Sequence, residues 1–168
     1  MESDSLKTCV EDLKAGWRGL DSLSILKCQE ALAKLSRSSS DEAWLDDLHK
    51  RREPAVELYR DAGKGFILLA HVEPHGLYRQ PHNHGNGWAF YAVQSGEMEI
   101  STYALMNGEG GERLVTRGYY SMKPGKCSVF LPGDIHDTRC QSEYTLMFRL
   151  TSCDFSEEKR AGRLRVFS

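Results

Sequence analysis

The octapeptide Pro81-His-Asn-His-Gly-Asn-Gly-Trp88 constrains this chain more than any other stretch. In extended backbone successive side chains alternate between faces, so His82 and His84 project to one side and Asn83 to the other. Two imidazoles on one face can converge on a single metal ion. Two ligands do not close a site, so a third must come from elsewhere in the chain.

The chain that carries this motif has 168 residues, 40% hydrophobic and 27% charged, which suits one soluble globular domain with a proper core. A net charge of −2 gives no general attraction to nucleic acid or acidic membranes, and neither is expected as a partner. No apolar run approaches the roughly 18 residues of a membrane span, and the N-terminus lacks an apolar signal core. The five cysteines, Cys9, Cys28, Cys127, Cys140 and Cys153, are scattered with no Cys-x-x-Cys pair. That pattern fits a reducing compartment, and the cytoplasm is the expected location.

Residues 1–53 read as helical. Ile25, Cys28, Leu32 and Leu35 share one stripe, with Asp21 or Ser22 as its N-cap. The tract Ser36-Arg-Ser-Ser-Ser40 breaks that helix, Asp41 is placed to cap the next, which carries Trp44, Leu45 and Leu48, and Pro54 ends helical territory. Residues 1–55 are therefore expected as a helical region covering one end of a β-domain formed by residues 56–168.

From Val56 onward short strands alternate with glycine and proline turns. The strand candidates are Val56–Arg60, Phe66–Glu73, Trp88–Gln94, Met98–Leu105, Arg113–Met122, Cys127–Leu131 and Tyr144–Thr151. Such spacing predicts an all-β sandwich or barrel, and a jelly-roll barrel is the leading expectation.

The third ligand is found in Gly125-Lys-Cys-Ser-Val-Phe-Leu-Pro-Gly-Asp-Ile-His136, a strand, a Pro-Gly turn, and a histidine opening the next strand. Together with Gly76, His82, His84 and Gly96, this resembles the two-part signature of the cupin superfamily, whose fold is a double-stranded β-helix. The second half departs in having Leu131 where proline is usual. The first departs in lacking its glutamate ligand: Ala89 stands there, and no carboxylate occupies residues 85–95. The expected metal site is three neutral imidazoles, His82, His84 and His136. Imidazole suits iron, zinc, copper and nickel alike. Three neutral ligands leave a divalent ion its full charge, which favours anionic substrate donors.

Among three-histidine cupins the chain is most similar to the cysteine dioxygenase family of thiol dioxygenases, in particular its mercaptopropionate branch. The similarity runs from about Leu58 to Phe155. It rests on Leu58-Tyr-Arg-Asp61, Phe66-Ile-Leu-Leu-Ala-His-Val72, Pro81-His-Asn-His84, Leu131-Pro-Gly-Asp-Ile-His136 and Asp154-Phe155. The resemblance implies a non-haem Fe(2+) enzyme that uses dioxygen to oxidise a small-molecule thiol to its sulfinate. Arg60 matches the arginine that binds the substrate carboxylate in cysteine-type members, and Arg160 is nearest to the arginine of the other branch. The family's Ser-His-Tyr set does not carry over; Met147, Arg149 and Thr151 stand there instead. Arg149 is thus a second candidate, with Arg60, for the catalytic anion-binding charge. A three-histidine cupin with Zn(2+) or Ni(2+), cleaving a β-diketone or acting as isomerase or hydrolase, is the other enzymatic expectation. A non-catalytic cupin that holds a small ligand through the metal is the third. Analogy also suggests a homodimer.

Of the remaining histidines, His71 is expected on a strand face and His75 in a turn, each with a role in supporting the metal or binding substrate as the lesser alternative, and His49 at the surface. Asp137 should point away from the metal, and Tyr91, Tyr103, Tyr119 and Tyr120 are candidate hydroxyl donors.

Overall fold

A computed structural model describes residues 4–152 and 155–168, so Cys153 and the Asp154 of the Asp-Phe pair lie outside the described residues. Three helices come first: α1 (Ser5–Gly16), α2 (Ser22–Leu35) and α3 (Ala43–Arg51). Asp21 caps α2, its carboxylate accepting from the Leu23 and Ser24 amides at 3.1 and 3.0 Å. The expected cap of α3 is corrected. Glu42, not Asp41, occupies the N-cap position, and its side chain makes no cap bond. It accepts instead from the Ser5 amide (3.0 Å), the Ser5 hydroxyl (2.7 Å) and the Trp44 indole (2.9 Å), tying α1 to α3.

Nine strands follow: β1 (Val56–Asp61), β2 (Phe66–Pro74), β3 (Tyr78–His82), β4 (Ala89–Ser95), β5 (Met98–Gly108), β6 (Gly111–Met122), β7 (Cys127–Phe130), β8 (Ile135–Cys140) and β9 (Tyr144–Thr151), with a short closing helix α4 (Phe155–Arg160). One sheet has the order β1-β2-β9-β4-β7 and the other β3-β8-β5-β6, and all the strand pairs are antiparallel. In each sheet early strands neighbour late ones, so strands β2–β9 wind as two interleaved Greek keys. That is a jelly-roll barrel, extended at one edge by β1. No helix is long and apolar enough to cross a membrane among the described residues.

The five-stranded sheet is buried on both faces, which is why β2 (FILLAHVEP) reads as a nearly unbroken apolar run. Phe66, Leu68, Ala70 and Val72 of β2 join Phe90, Ala92, Leu146, Phe148 and Leu150 in one core with Cys28, Leu32, Leu35 and Leu45 of the helices. The helices therefore lie over the outer face of this sheet, where the sequence placed them over an end of the barrel. The apolar outer face has to be covered, and that decides their position. A second cluster, with Tyr91, Val93, Phe130 and Met147 facing Met98, Ile100 and Met122, fills the barrel between the sheets. His49, expected at the surface, is half-buried and bridges α3 to the sheet. Its ring nitrogens lie 2.8 Å from the Tyr144 hydroxyl and 2.8 Å from Gln94 Oε1.

Candidate metal centre

His82 is the last residue of β3 and His136 the second of β8, and the two are direct partners across the ladder. His84 lies two residues past the end of β3, in the turn that leads to β4. Three separate elements thus bring the rings together, with centroids 4.6 Å (His82–His136), 4.9 Å (His84–His136) and 5.2 Å (His82–His84) apart. One nitrogen from each falls within 4.8 Å of the others, and the group contains no carboxylate.

The turn holding His84 is fixed from outside. Its carbonyl accepts from the Gly87 amide at 3.0 Å. Asn83, directed away from the site, accepts from the Gly85 amide (3.2 Å) and the Arg165 amide (2.9 Å) through Oδ1. The C-terminal segment is thereby pinned to the histidine-bearing end of β3, and a β-bridge between His82 and Val166 completes the attachment. Stacking fixes the rings. His136 lies on Phe130 (3.8 Å, 26°) and His84 on Phe155 (4.4 Å, 13°).

The donor chemistry fits a divalent metal. His82 Nδ1 donates to the Gln80 carbonyl at 2.7 Å, which leaves Nε2 with its lone pair. His84 Nδ1 and both nitrogens of His136 are buried with no hydrogen-bond partner among the described residues. An unsatisfied buried polar group costs about 1–3 kcal/mol, and a cation at the centre of the three rings would take one nitrogen from each and relieve part of that cost. Burial, aided by the charges of His82 and Arg149, pushes His84 down to about 3. Burial likewise holds His136 well below the usual histidine range and lowers His82. All three rings stay neutral near pH 7, as ligation requires.

The rings open on a cavity of about 180 Å³, lined also by His71, Glu73, Arg79, Tyr91, Met147 and Arg149. Arg149 lies on β9 between Leu69 of β2 and Tyr91 of β4. On the strand next to its cross-strand partner Tyr91, its guanidinium sits 4.8 Å from the Phe155 ring centre, while its Nε is buried without a partner among the described residues. Tyr91 also approaches His84 Nε2 at 3.4 Å. It alone of the four candidate tyrosines lines this cavity.

Arg60 lies elsewhere. It sits on β1, an edge strand, exposed and paired with Glu57 through contacts of 2.9 and 2.7 Å, and it does not line the cavity. Arg160, exposed at the end of α4, does not line it either. Met147 contributes to the wall, and Thr151 is buried. Asp137 points away as expected, held by the Ser101 amide (2.9 Å) and the hydroxyls of Tyr103 (2.6 Å) and Tyr78 (3.1 Å). His75 is exposed in its turn, 2.9 Å from the Ser142 carbonyl.

Two lining residues, Glu73 and Arg79, drew no notice in the sequence, and a third, His71, was expected there first as a strand residue. Glu73, with its side chain 6% exposed, pairs with Arg79 at 2.9 Å. His71, 8% exposed, has Nδ1 3.0 Å from the Pro54 carbonyl and an unpartnered Nε2. The signal was the phase of β2. Phe66, Leu68, Ala70 and Val72 face the helices, so the alternate residues, His71 and Glu73 among them, face the interior.

Neither a family model nor a curated protein matches the chain. Solved structures similar to it include the cupin domain of Schizosaccharomyces pombe Cnp3, at 14% identity and a TM-score of 0.47 over 65% of this chain and 66% of that one. KdgF from Halomonas sp. is similar at 17% identity and a TM-score of 0.46, over 60% and 77% of the two chains. So is an L-ribose isomerase mutant of Acinetobacter sp. DL28, at 18% and 0.44, over 54% and 49%. The chain thus spans just under two thirds of the Cnp3 domain and about half of the isomerase.

Proposed function

We propose that this protein is a metal-dependent oxygenase that holds iron(II) on His82, His84 and His136 and oxidises a small anionic substrate, a thiol carboxylate foremost, with dioxygen. The observation that carries the reading is the meeting of three neutral imidazoles, those of His84 and His136 buried, with the Arg149 guanidinium on one cavity. A divalent ion on neutral ligands keeps its full charge, and Arg149 adds another. Glu73 is already bonded to Arg79, so the lining as a whole favours an anion. Bound there, iron(II) supplies the redox chemistry that oxygen activation needs.

The chain's own residues bind and orient. Arg149 offers a planar donor array for a carboxylate, with Tyr91 beside it across the ladder. Burial raises the Tyr91 pKa, so it remains a phenol and a donor. Met147 and Phe155 make the wall apolar and limit water. At about 180 Å³ the cavity is smaller than the roughly 300–1,000 Å³ of drug-sized pockets, so the substrate is a few heavy atoms long.

A second reading has a specific observation in its favour. Met147, Arg149 and Thr151 replace the family's Ser-His-Tyr set, while His71 and Tyr91 place groups that accept and donate protons beside the metal site. Zinc-dependent isomerisation or hydrolysis would use such groups. One experiment separates the two: metal content of protein purified without added metal, then oxygen uptake after anaerobic iron(II) loading across a panel of thiols and small acids. The oxygenase reading expects substrate-dependent uptake. Full zinc occupancy without any such uptake would overturn it.

A further inference from the structure

The cavity contains one recognition group that neither the metal nor Arg149 accounts for. We infer that His71 reads the substrate: its Nε2 accepts a hydrogen bond from a neutral donor, a hydroxyl or an amide N–H, on the same small molecule whose anionic group Arg149 binds. This rests on the reading that the cavity takes a small anion, and it names the rest of that molecule.

The tautomer is dictated by the fold. The Pro54 carbonyl can only accept, so the Nδ1 of His71, 3.0 Å away, carries the ring hydrogen. Nε2 therefore has the lone pair. It belongs to a residue 92% buried, lines the cavity, and has no partner among the described residues. The ring does not become a cation near neutrality, because burial first and the Arg149 charge second push His71 down to about 3. At pH 7 it is an acceptor and nothing else at that nitrogen.

Its neighbours define the other half of the ligand. His71 and Met147 are direct cross-strand partners, as are Leu69 and Arg149. His71 and Arg149 are thus diagonal neighbours on one face, about 7–8 Å apart at the backbone. A molecule of a few heavy atoms spans that gap. The donor must be neutral, since an ammonium would sit against Arg149, while Glu73 is already taken up by Arg79 and offers it no free countercharge. Small hydroxy acids, or acids with an adjacent amide, meet both demands. A plain carboxylate meets one and leaves Nε2 unpaired, which is how buried polar groups discriminate.

The test uses lactate and 3-hydroxypropionate against propionate, on chelator-treated and zinc-loaded protein. It reads dissociation constants by calorimetry and the imidazole nitrogens by NMR. In the wild type at least one hydroxy acid should bind roughly tenfold more tightly than propionate, and the His71 Nε2 resonance should shift as it accepts a hydrogen bond. His71→Phe should abolish the preference but keep propionate binding. His71→Gln, which restores an acceptor and guards against a folding defect in the first variant, should recover part of it. Arg149→Gln should weaken every acid. Equal binding of the acids by the wild type, a preference that survives His71→Phe, an unmoved Nε2 resonance, or no binding of any acid overturns the inference. A failure of the oxygenase reading would appear separately, as absent oxygen uptake with these binding differences intact.

Discussion

His136 is fully buried, stacked on Phe130, and has neither ring nitrogen hydrogen-bonded among the described residues. Such a residue is a burden to the apoprotein and an asset only with a ligand at the centre. Two unsatisfied nitrogens at about 1–3 kcal/mol each should outweigh the loss of shape when an apolar side chain of similar size replaces the ring. We predict that His136→Leu, in chelator, unfolds in urea at least as reluctantly as the wild type and by about 1 kcal/mol more so. With divalent metal at about 100 times its dissociation constant, the wild type should gain roughly 2.7 kcal/mol and the variant nothing. A variant that still retains metal after desalting would show that the site is misassigned. The meeting of His82, His84 and His136 was legible in the sequence, although His84 comes to the group from the turn after β3 and not from the strand that its spacing predicts. His71 was legible first as a strand residue, since which face of β2 meets the interior is settled by helices far away in the chain. Arg60 drew notice through its motif, but its position is decided by β1 being an edge strand.

At the scale of elements, the turn between β3 and β4 positions His84 while the C-terminal segment holds the turn. Glu158 of α4 is the clamp. Its carboxylate accepts from the Asn86 amide at 3.2 Å and from Arg163 at 2.8 and 2.9 Å, and these contacts lower its pKa. Gly85 lies under that carboxylate with φ of +62°, and a Cβ there would meet Glu158 Oε2 at 2.5 Å. Gly85→Ala must both adopt a left-handed conformation and displace the clamp. We expect it to lose about 1–3 kcal/mol in urea denaturation, with metal affinity falling about tenfold as His84 shifts. Unchanged chelator competition would mean that the turn does not position the ligand. Legibility differed between elements for a physical reason. Strands β2 and β9 could be read almost to the residue because burial on both faces makes β2 a nearly unbroken apolar run and leaves β9 apolar at most of its positions. Strand β3 (YRQPH) is polar, largely exposed and broken by Pro81, so its pairing with β8 left little pattern in the sequence. The cap of α3 was misplaced because Glu42 serves a contact with Ser5 that lies 37 residues away.

For the whole molecule, the helices settle where the apolar core goes. The core between them and the outer face of the five-stranded sheet includes Leu13, Leu32, Phe66, Phe90 and Phe148, all essentially inaccessible. Stability drawn from that layer allows the barrel interior to hold His71, Glu73, His84 and His136 buried. The arrangement makes the apoprotein acid-sensitive in a definite direction. His71 and His84 are held near 3 when folded, against about 6.5 when unfolded, with burial as the main cause in each. Above pH 6.5 both states carry neutral rings and the shift contributes nothing. Below it the unfolded chain takes up protons that the folded one refuses, so stability falls as the pH drops from 6.5 toward 3. Each such ring steepens the fall by up to about 1.4 kcal/mol per pH unit. His71 is the ring to isolate, because it lies outside the metal-binding set. In chelator, urea denaturation from pH 7.5 to 5 should show the wild type losing stability faster than His71→Gln by close to that slope once below pH 6. Parallel curves would mean that His71 is reached by protons in the folded protein, and that the interior is wetter than its burial implies.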